Sequence, residues 1–179
     1  MKTITINEKE IPVYCTMEEA DQYFAEKFGS DVWDNTEGAD KKKALVEATR
    51  KLNTLKLQGF PVDIKQPLLF PRYFKPNFLS KKTYTSEHNS ITVNGKSLIY
   101  IEESEEMQFA CAEQAISIIE NHNSIHIKNQ KLGIASASIM GDSVSYTGNA
   151  SLIKSTNESL CPEALLFVDK FLIKTARVV

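Results

Sequence analysis

The chain has 179 residues, 42% of them hydrophobic and 25% charged, which is the composition of an ordinary globular protein with room for one domain and a sizeable core. Lys and Arg total 21 against 23 Asp and Glu, and a net charge of -2 argues against a surface that grips nucleic acid everywhere, while leaving room for a local basic patch. No apolar run is long enough to span a membrane, and the opening MKTITINEKEIPVY has no hydrophobic signal core, so neither a membrane nor export is expected.

Residues 2–14 alternate on either side of a polar Asn7-Glu8-Lys9-Glu10 stretch, which predicts a short hairpin with Pro12 on an edge strand. Thr16 followed by Glu19 forms a capping box, and Ala20, Tyr23, Phe24 and Phe28 predict the inner stripe of a first helix ending at Gly29-Ser30. Trp33, the single tryptophan, is expected to anchor a helix pair by burial. A second helix starts near Asp40, with Leu45, Ala48, Leu52 and Leu55 as its stripe and Gly59 as its C-terminal stop. Gln66-Pro67 and Phe70-Pro71 then hold an extended strap that offers Leu68, Leu69 and Phe70 for packing.

Ile91–Ile101 reads as a β-hairpin around Asn94-Gly95, inserted between strap and next helix and expected to project. The carboxylates of Glu102–Glu106 suit the start of a third helix over roughly 105–121. That helix is apolar nearly all round, so it is either central to the core or shared with a second subunit. A short segment covers 124–130, residues 132–148 suggest strands or an extended loop, and 149–160 is polar. Cys161-Pro162-Glu163 opens a last helix.

Catalytic chemistry is hard to find. Asn94-Gly95-Lys96-Ser97 ends like a P-loop, but Ser90 stands where the first glycine belongs and strand-like Leu98–Ile101 follows instead of a helix. His122 and His126 have helical spacing without further metal ligands. Cys15, Cys111 and Cys161 are widely spaced and odd in number, which predicts reduced thiols, Cys111 as a small core residue. No enzyme activity, cofactor or metal is expected. The segment 72–84 differs: it carries four positive charges (Arg72, Lys75, Lys81 and Lys82), four aromatics and no acid. Interleaved cations and rings serve single-strand binding, a DNA-facing channel wall or a partner interface, or else the rings pack beneath a solvated loop.

Ala44-Leu45, Ala48-Thr49, Leu55, Gly59, Gln66, Leu68 and Phe70-Pro71-Arg72 resemble a motif of tailed-phage head–tail connector (adaptor, head-completion) proteins, some of which are labelled DnaT-like single-stranded-DNA-binding proteins. The flanks follow the same order: Ala20 with Tyr23-Phe24, the Ala110–Ala115 helix, the Leu132-Gly133 to Tyr146 loop, and Cys161-Pro162. The 73–101 segment, and Phe70 where that family often has Trp, depart from it.

The resemblance implies a structural virion protein of the neck, present in host cytoplasm before assembly. It would form a homo-oligomeric ring, a dodecamer, beneath the portal protein, meet the next neck or tail-completion protein, and extend the DNA channel. The expected fold is mainly α: one domain over 1–179, a small ring-forming helical bundle embellished by β-hairpins or extended loops, with an inserted hairpin region at about 73–101. Arg72, Lys75, Lys81 and Lys82 are the candidate DNA-facing or partner surface. Ile173, Lys174, Arg177, Val178 and Val179 are the candidate portal-docking tail. The alternative is a single-stranded-DNA-binding replication accessory protein.

Overall fold

The computed structural model describes residues 1–75, 90–93, 95–122, 136–139, 142–145 and 160–173. The first hairpin pairs β1 (Lys2–Ile6) with β2 (Lys9–Val13) in antiparallel register, Ile4 opposite Ile11. Asn7 and Glu8 turn it with φ of 48° and 62°, the left-handed pair a tight two-residue turn requires. One face supplies Ile4 and Val13 to the core.

Helix α1 (Met17–Ala25) starts on the expected capping box: the Glu19 N–H donates to Thr16 Oγ1 at 3.3 Å, and the Thr16 N–H donates to Glu19 Oε2 at 2.9 Å. Ala20 and Phe24 are buried, but the helix ends at Ala25, so Phe28 falls in the turn beyond and is fully exposed. Trp33, on the single turn α2 (Asp31–Asp34), is fully buried. Its ring lies 4.8 Å from that of Phe24, and its Nε1–H donates to Asp21 at 2.7 Å.

Helix α3 (Gly38–Leu52) buries Leu45, Ala48 and Leu52. It stops at Asn53, well short of Gly59. Gly59 serves the sheet instead, taking φ +71° where the chain crosses residues 72–74, and a Cβ there would sit 2.1 Å from the Tyr73 carbonyl oxygen. The strap follows. Gln66 braces it, its side-chain amide donating to the carbonyls of Leu68 (2.7 Å) and Pro71 (3.0 Å) while its Oε1 accepts from the Asp63 N–H (3.1 Å). The Phe70-Pro71 peptide is cis.

The strap is bounded by β3 (Phe60–Pro61) and β4 (Arg72–Phe74), which join β5 (Ser90–Val93) and β6 (Lys96–Ile101) in one antiparallel sheet of order β3-β4-β6-β5. The hairpin expected to project is thus part of a sheet, with β6 between β4 and β5. Helix α4 (Glu105–His122) packs along α3 and α5 (Pro162–Val168). Its Met107, Ala110, Cys111, Ala112, Ala115 and Ile116 are all buried within the single chain. Strands β7 (Ser136–Ile139) and β8 (Asp142–Ser145) pair as a further hairpin within 132–148. Cys161 caps α5, with Pro162 in its first turn, and a 3-10 turn (Asp169–Phe171) follows. Beyond it, the chain returns to the sheet region: the Gln58 N–H donates to the Phe171 carbonyl (2.8 Å) and the Ile173 N–H to that of Lys56 (3.1 Å).

The fold is therefore mixed α/β, not a mainly α bundle. Short strands separated by long connections pair across the chain, which local periodicity does not register. The ring was implied by the family resemblance, with the apolar faces of the third and last helices in its favour; the face of α4 is covered inside one chain by α3, α5 and the α1–α2 corner, whereas Leu166 on α5 stays exposed. Residues 124–130 and 149–159 lie outside the described set.

Gly59→Ala is expected to cost about 2–4 kcal/mol, since it combines a disfavoured φ with a backbone clash. Thermal unfolding followed by Trp33 emission measures it, and an unchanged midpoint would refute the close approach.

Candidate nucleic-acid interface

The pleat sorts β4 and the end of β6 into two faces, Leu98 being buried farther along the Tyr100 face. Arg72, Phe74 and Ile101 point inward and are buried. Tyr73 and Tyr100 therefore point outward. Register places Phe60 opposite Tyr73, and Tyr73 opposite Tyr100. The result is a row of three rings across three neighbouring strands, with centroids 5.5 Å apart from Phe60 to Tyr73 and 5.7 Å from Tyr73 to Tyr100. Such cross-strand aromatic pairs stabilise a sheet while leaving ring faces available. Phe60 is 44% exposed, the tyrosines are half-buried, and Val62 and Ile64 carry the exposed apolar surface onward along the strap. Partial burial, then Glu102 and Tyr73, pushes the Tyr100 phenol above its ordinary value, so Tyr100 carries no phenolate at neutral pH.

Arg72 is not on this surface. Its guanidinium is turned into the fold, where Nε donates to the Gln58 carbonyl (2.8 Å), Nη1 to that of Leu69 (3.3 Å), and Nη2 to those of Leu57 (3.1 Å) and Gly59 (3.2 Å). Burial pulls its pKa down; an arginine remains charged nonetheless. Lys75, three residues on, is exposed beyond β4. Lys81 and Lys82 lie outside the described residues, as do Lys174, Arg177, Val178 and Val179. Ile173 is 52% exposed and held by its backbone bond to Lys56. The run of cations and rings thus divides by alternation, Arg72 and Phe74 inward, Tyr73 and Lys75 outward. Phe60 and Tyr100, the outer members of the row, were not singled out from sequence. Only strand register joins them to Tyr73.

Other groups have structural duties. Glu113 is buried on α4 and accepts from the Tyr23 hydroxyl (2.5 Å) and from Lys27 (2.6 Å), tying α1 to α4. Cys15, Cys111 and Cys161 are buried free thiols, and burial raises all three, Cys111 to about 11, so none supplies a thiolate. Among the described residues no group of three or more His, Cys, Asp or Glu could hold a metal, and no described helix is long and apolar enough to cross a membrane. A cavity of about 280 Å³ opens between the first hairpin, the strap and residues 102–104, with Tyr14, Leu68, Phe70 and Pro71 among its walls. The Tyr14 hydroxyl donates to Asn53 (2.5 Å) and accepts from the Leu69 N–H (2.8 Å), fixing the strap to the end of α3.

Residues 7–88 match a family model described as putative DnaT-like ssDNA binding protein. The match covers somewhat less than half of the chain and includes Phe60 and Tyr73 but not Tyr100. It agrees with the single-stranded-DNA-binding alternative and gives no support to the connector family. No curated protein and no solved structure matches the chain.

Arg72→Lys keeps the charge but cannot reach carbonyls from four residues at once. It is expected to destabilise the fold by about 3 kcal/mol. Urea unfolding is the measure, and a loss below 0.5 kcal/mol (roughly the scatter of surface substitutions) would remove Arg72 from its structural role.

Proposed function

We propose that the protein binds single-stranded DNA on the outer face of the β3–β4–β6 sheet, as a replication accessory of the DnaT-like kind. The observation that carries this reading is the row Phe60–Tyr73–Tyr100. Bases of a single strand stack on such rings, whereas a duplex keeps its base faces covered. The family match over residues 7–88 supports the same reading independently. The net charge of -2, and the inward turn of Arg72, make stacking rather than phosphate neutralisation the main source of affinity. Binding then depends weakly on salt, with a log–log slope of about -1 to -2 if Lys75 and one or two neighbours meet phosphates.

Fluorescence anisotropy with a labelled single-stranded oligonucleotide tests this. Phe60→Ala and Tyr73→Ala are each expected to weaken binding about 5- to 100-fold, the range for loss of one stacked base. Trp33 is buried in the α1–α2 corner, so its emission reports folding of each variant without interference from the row. Folded variants with wild-type affinity would overturn the assignment.

A second reading, a structural neck subunit that attaches to a portal protein, is favoured by large apolar side chains left exposed: Phe28, Ile64, Leu166 and Ile173. Native mass spectrometry with a portal candidate separates the two, since this reading expects a complex with portal and no oligonucleotide binding.

A further inference from the structure

The aromatic row is electrically lopsided. Lys75 lies two residues beyond Tyr73, and Glu102 lies two residues beyond Tyr100. Both are exposed, and two strand residues correspond to roughly 7 Å. Because β4 and β6 run antiparallel, these two charges flank the Tyr73–Tyr100 pair from opposite sides. A phosphate backbone crossing the rings is drawn to the Lys75 side and repelled from the Glu102 side. The base edges then face the carboxylate.

The carboxylate side is also where the chain leaves room. Pro71 and Glu102, one step beyond the last registered pair of β4 and β6, both line the cavity of about 280 Å³. That volume lies near the small end of ligand pockets, about 300 Å³, and suits a single heterocycle between apolar walls. Of the two carboxylates at this cavity, Glu103 pairs with Lys2 at 3.4 Å, and Lys2 also holds Glu19 at 2.7 Å. Glu102 has no hydrogen-bond or ion-pair partner among the described residues.

We propose, resting on the single-strand-binding reading, that Glu102 and this cavity form a base-reading subsite that prefers guanine. An ionised carboxylate only accepts hydrogen bonds. Guanine offers it two adjacent N–H groups on its Watson–Crick edge. Cytosine and adenine offer one exocyclic amine, the kind of donor a glutamate takes from cytosine in duplex readout. Thymine sets its single N–H between two carbonyl oxygens, which the carboxylate repels. The order of preference is guanine, then cytosine and adenine, then thymine. The row supplies affinity for any base, and Glu102 supplies the discrimination.

The test compares oligothymidylate with the same oligonucleotide carrying one central guanine, at fixed salt. The wild-type protein is expected to bind the guanine-containing strand about 5- to 10-fold more tightly, toward the lower end for a bidentate pair because Glu102 is exposed. Glu102→Gln, at an exposed position without a partner among the described residues, presents both a donor and an acceptor and no charge to repel thymine, so it is expected to bring the two strands to equal affinity. Phe60→Ala is expected to weaken both strands by the same factor and keep their ratio. Equal wild-type binding to both strands, or a preference that survives Glu102→Gln, would overturn the subsite and leave the stacking row standing. Failure of the wild-type protein to bind either strand would overturn both.

Discussion

A buried cation, Arg72, organises the sheet. Arg72 reaches the carbonyls of Leu57, Gln58 and Gly59, on the chain leading into β3, and of Leu69, in the strap. Carbonyl dipoles alone compensate it in this set, so the guanidinium is satisfied only while those segments keep their places, and letting any of them go leaves charge in an apolar setting. This fixes where β3 meets β4, and the pleat does the rest: with Arg72 locked inward, Tyr73 must face outward beside Phe60. The proposed binding face is therefore set by a residue that never touches it.

The row is backed by a second aromatic layer. Phe70, Phe74 and Phe171 lie beneath the strands, with ring centroids 5.6–6.1 Å apart. Phe171 is carried there by the short helical segment after α5, and the Gln58–Phe171 and Ile173–Lys56 backbone bonds hold that segment against the chain just before the strap. Rings on the core side gain from burial and rings on the outer side give up part of it. The outer face remains half-apolar because the inner face supplies the stability.

Local signals in the sequence were faithful where the structure is local. Thr16 with Glu19, Cys161-Pro162 and the extent of α4 appear as the residues imply, and the first hairpin forms too, its turn tightened from the polar Asn7–Glu10 stretch to Asn7-Glu8. What eluded sequence was long-range pairing. β3 and β4 have two and three residues, too few to show alternation, so Arg72 and Lys75 looked alike although one is interior and one is exposed. Gly59 was recognised as special for the wrong reason, because a left-handed glycine after a helix and one beneath a crossing strand look the same in one dimension. Phe28 kept the helical spacing of Ala20 and Phe24, but its helix stops at Ala25. The fold class went astray for the same cause: a four-stranded sheet assembled from distant fragments leaves little periodic trace.

The closure between residues 56–58 and 171–173 also bears on how the protein comes into being. Contacts that span most of the chain are late events in folding, since loop-closure entropy must be overcome before they form. During synthesis the three outward rings emerge well before Phe171, the ring that backs their strands. Until then Phe70 and Phe74 have no aromatic cover from the C-terminal end, and the backbone of residues 56–58 lacks the partners it meets at residues 171–173. A nascent chain thus carries the outward rings without their rigid support, and such unpaired edges and uncovered rings invite association with other chains. Seating of the Asp169–Phe171 turn is what closes this edge and gives the outward rings their backing.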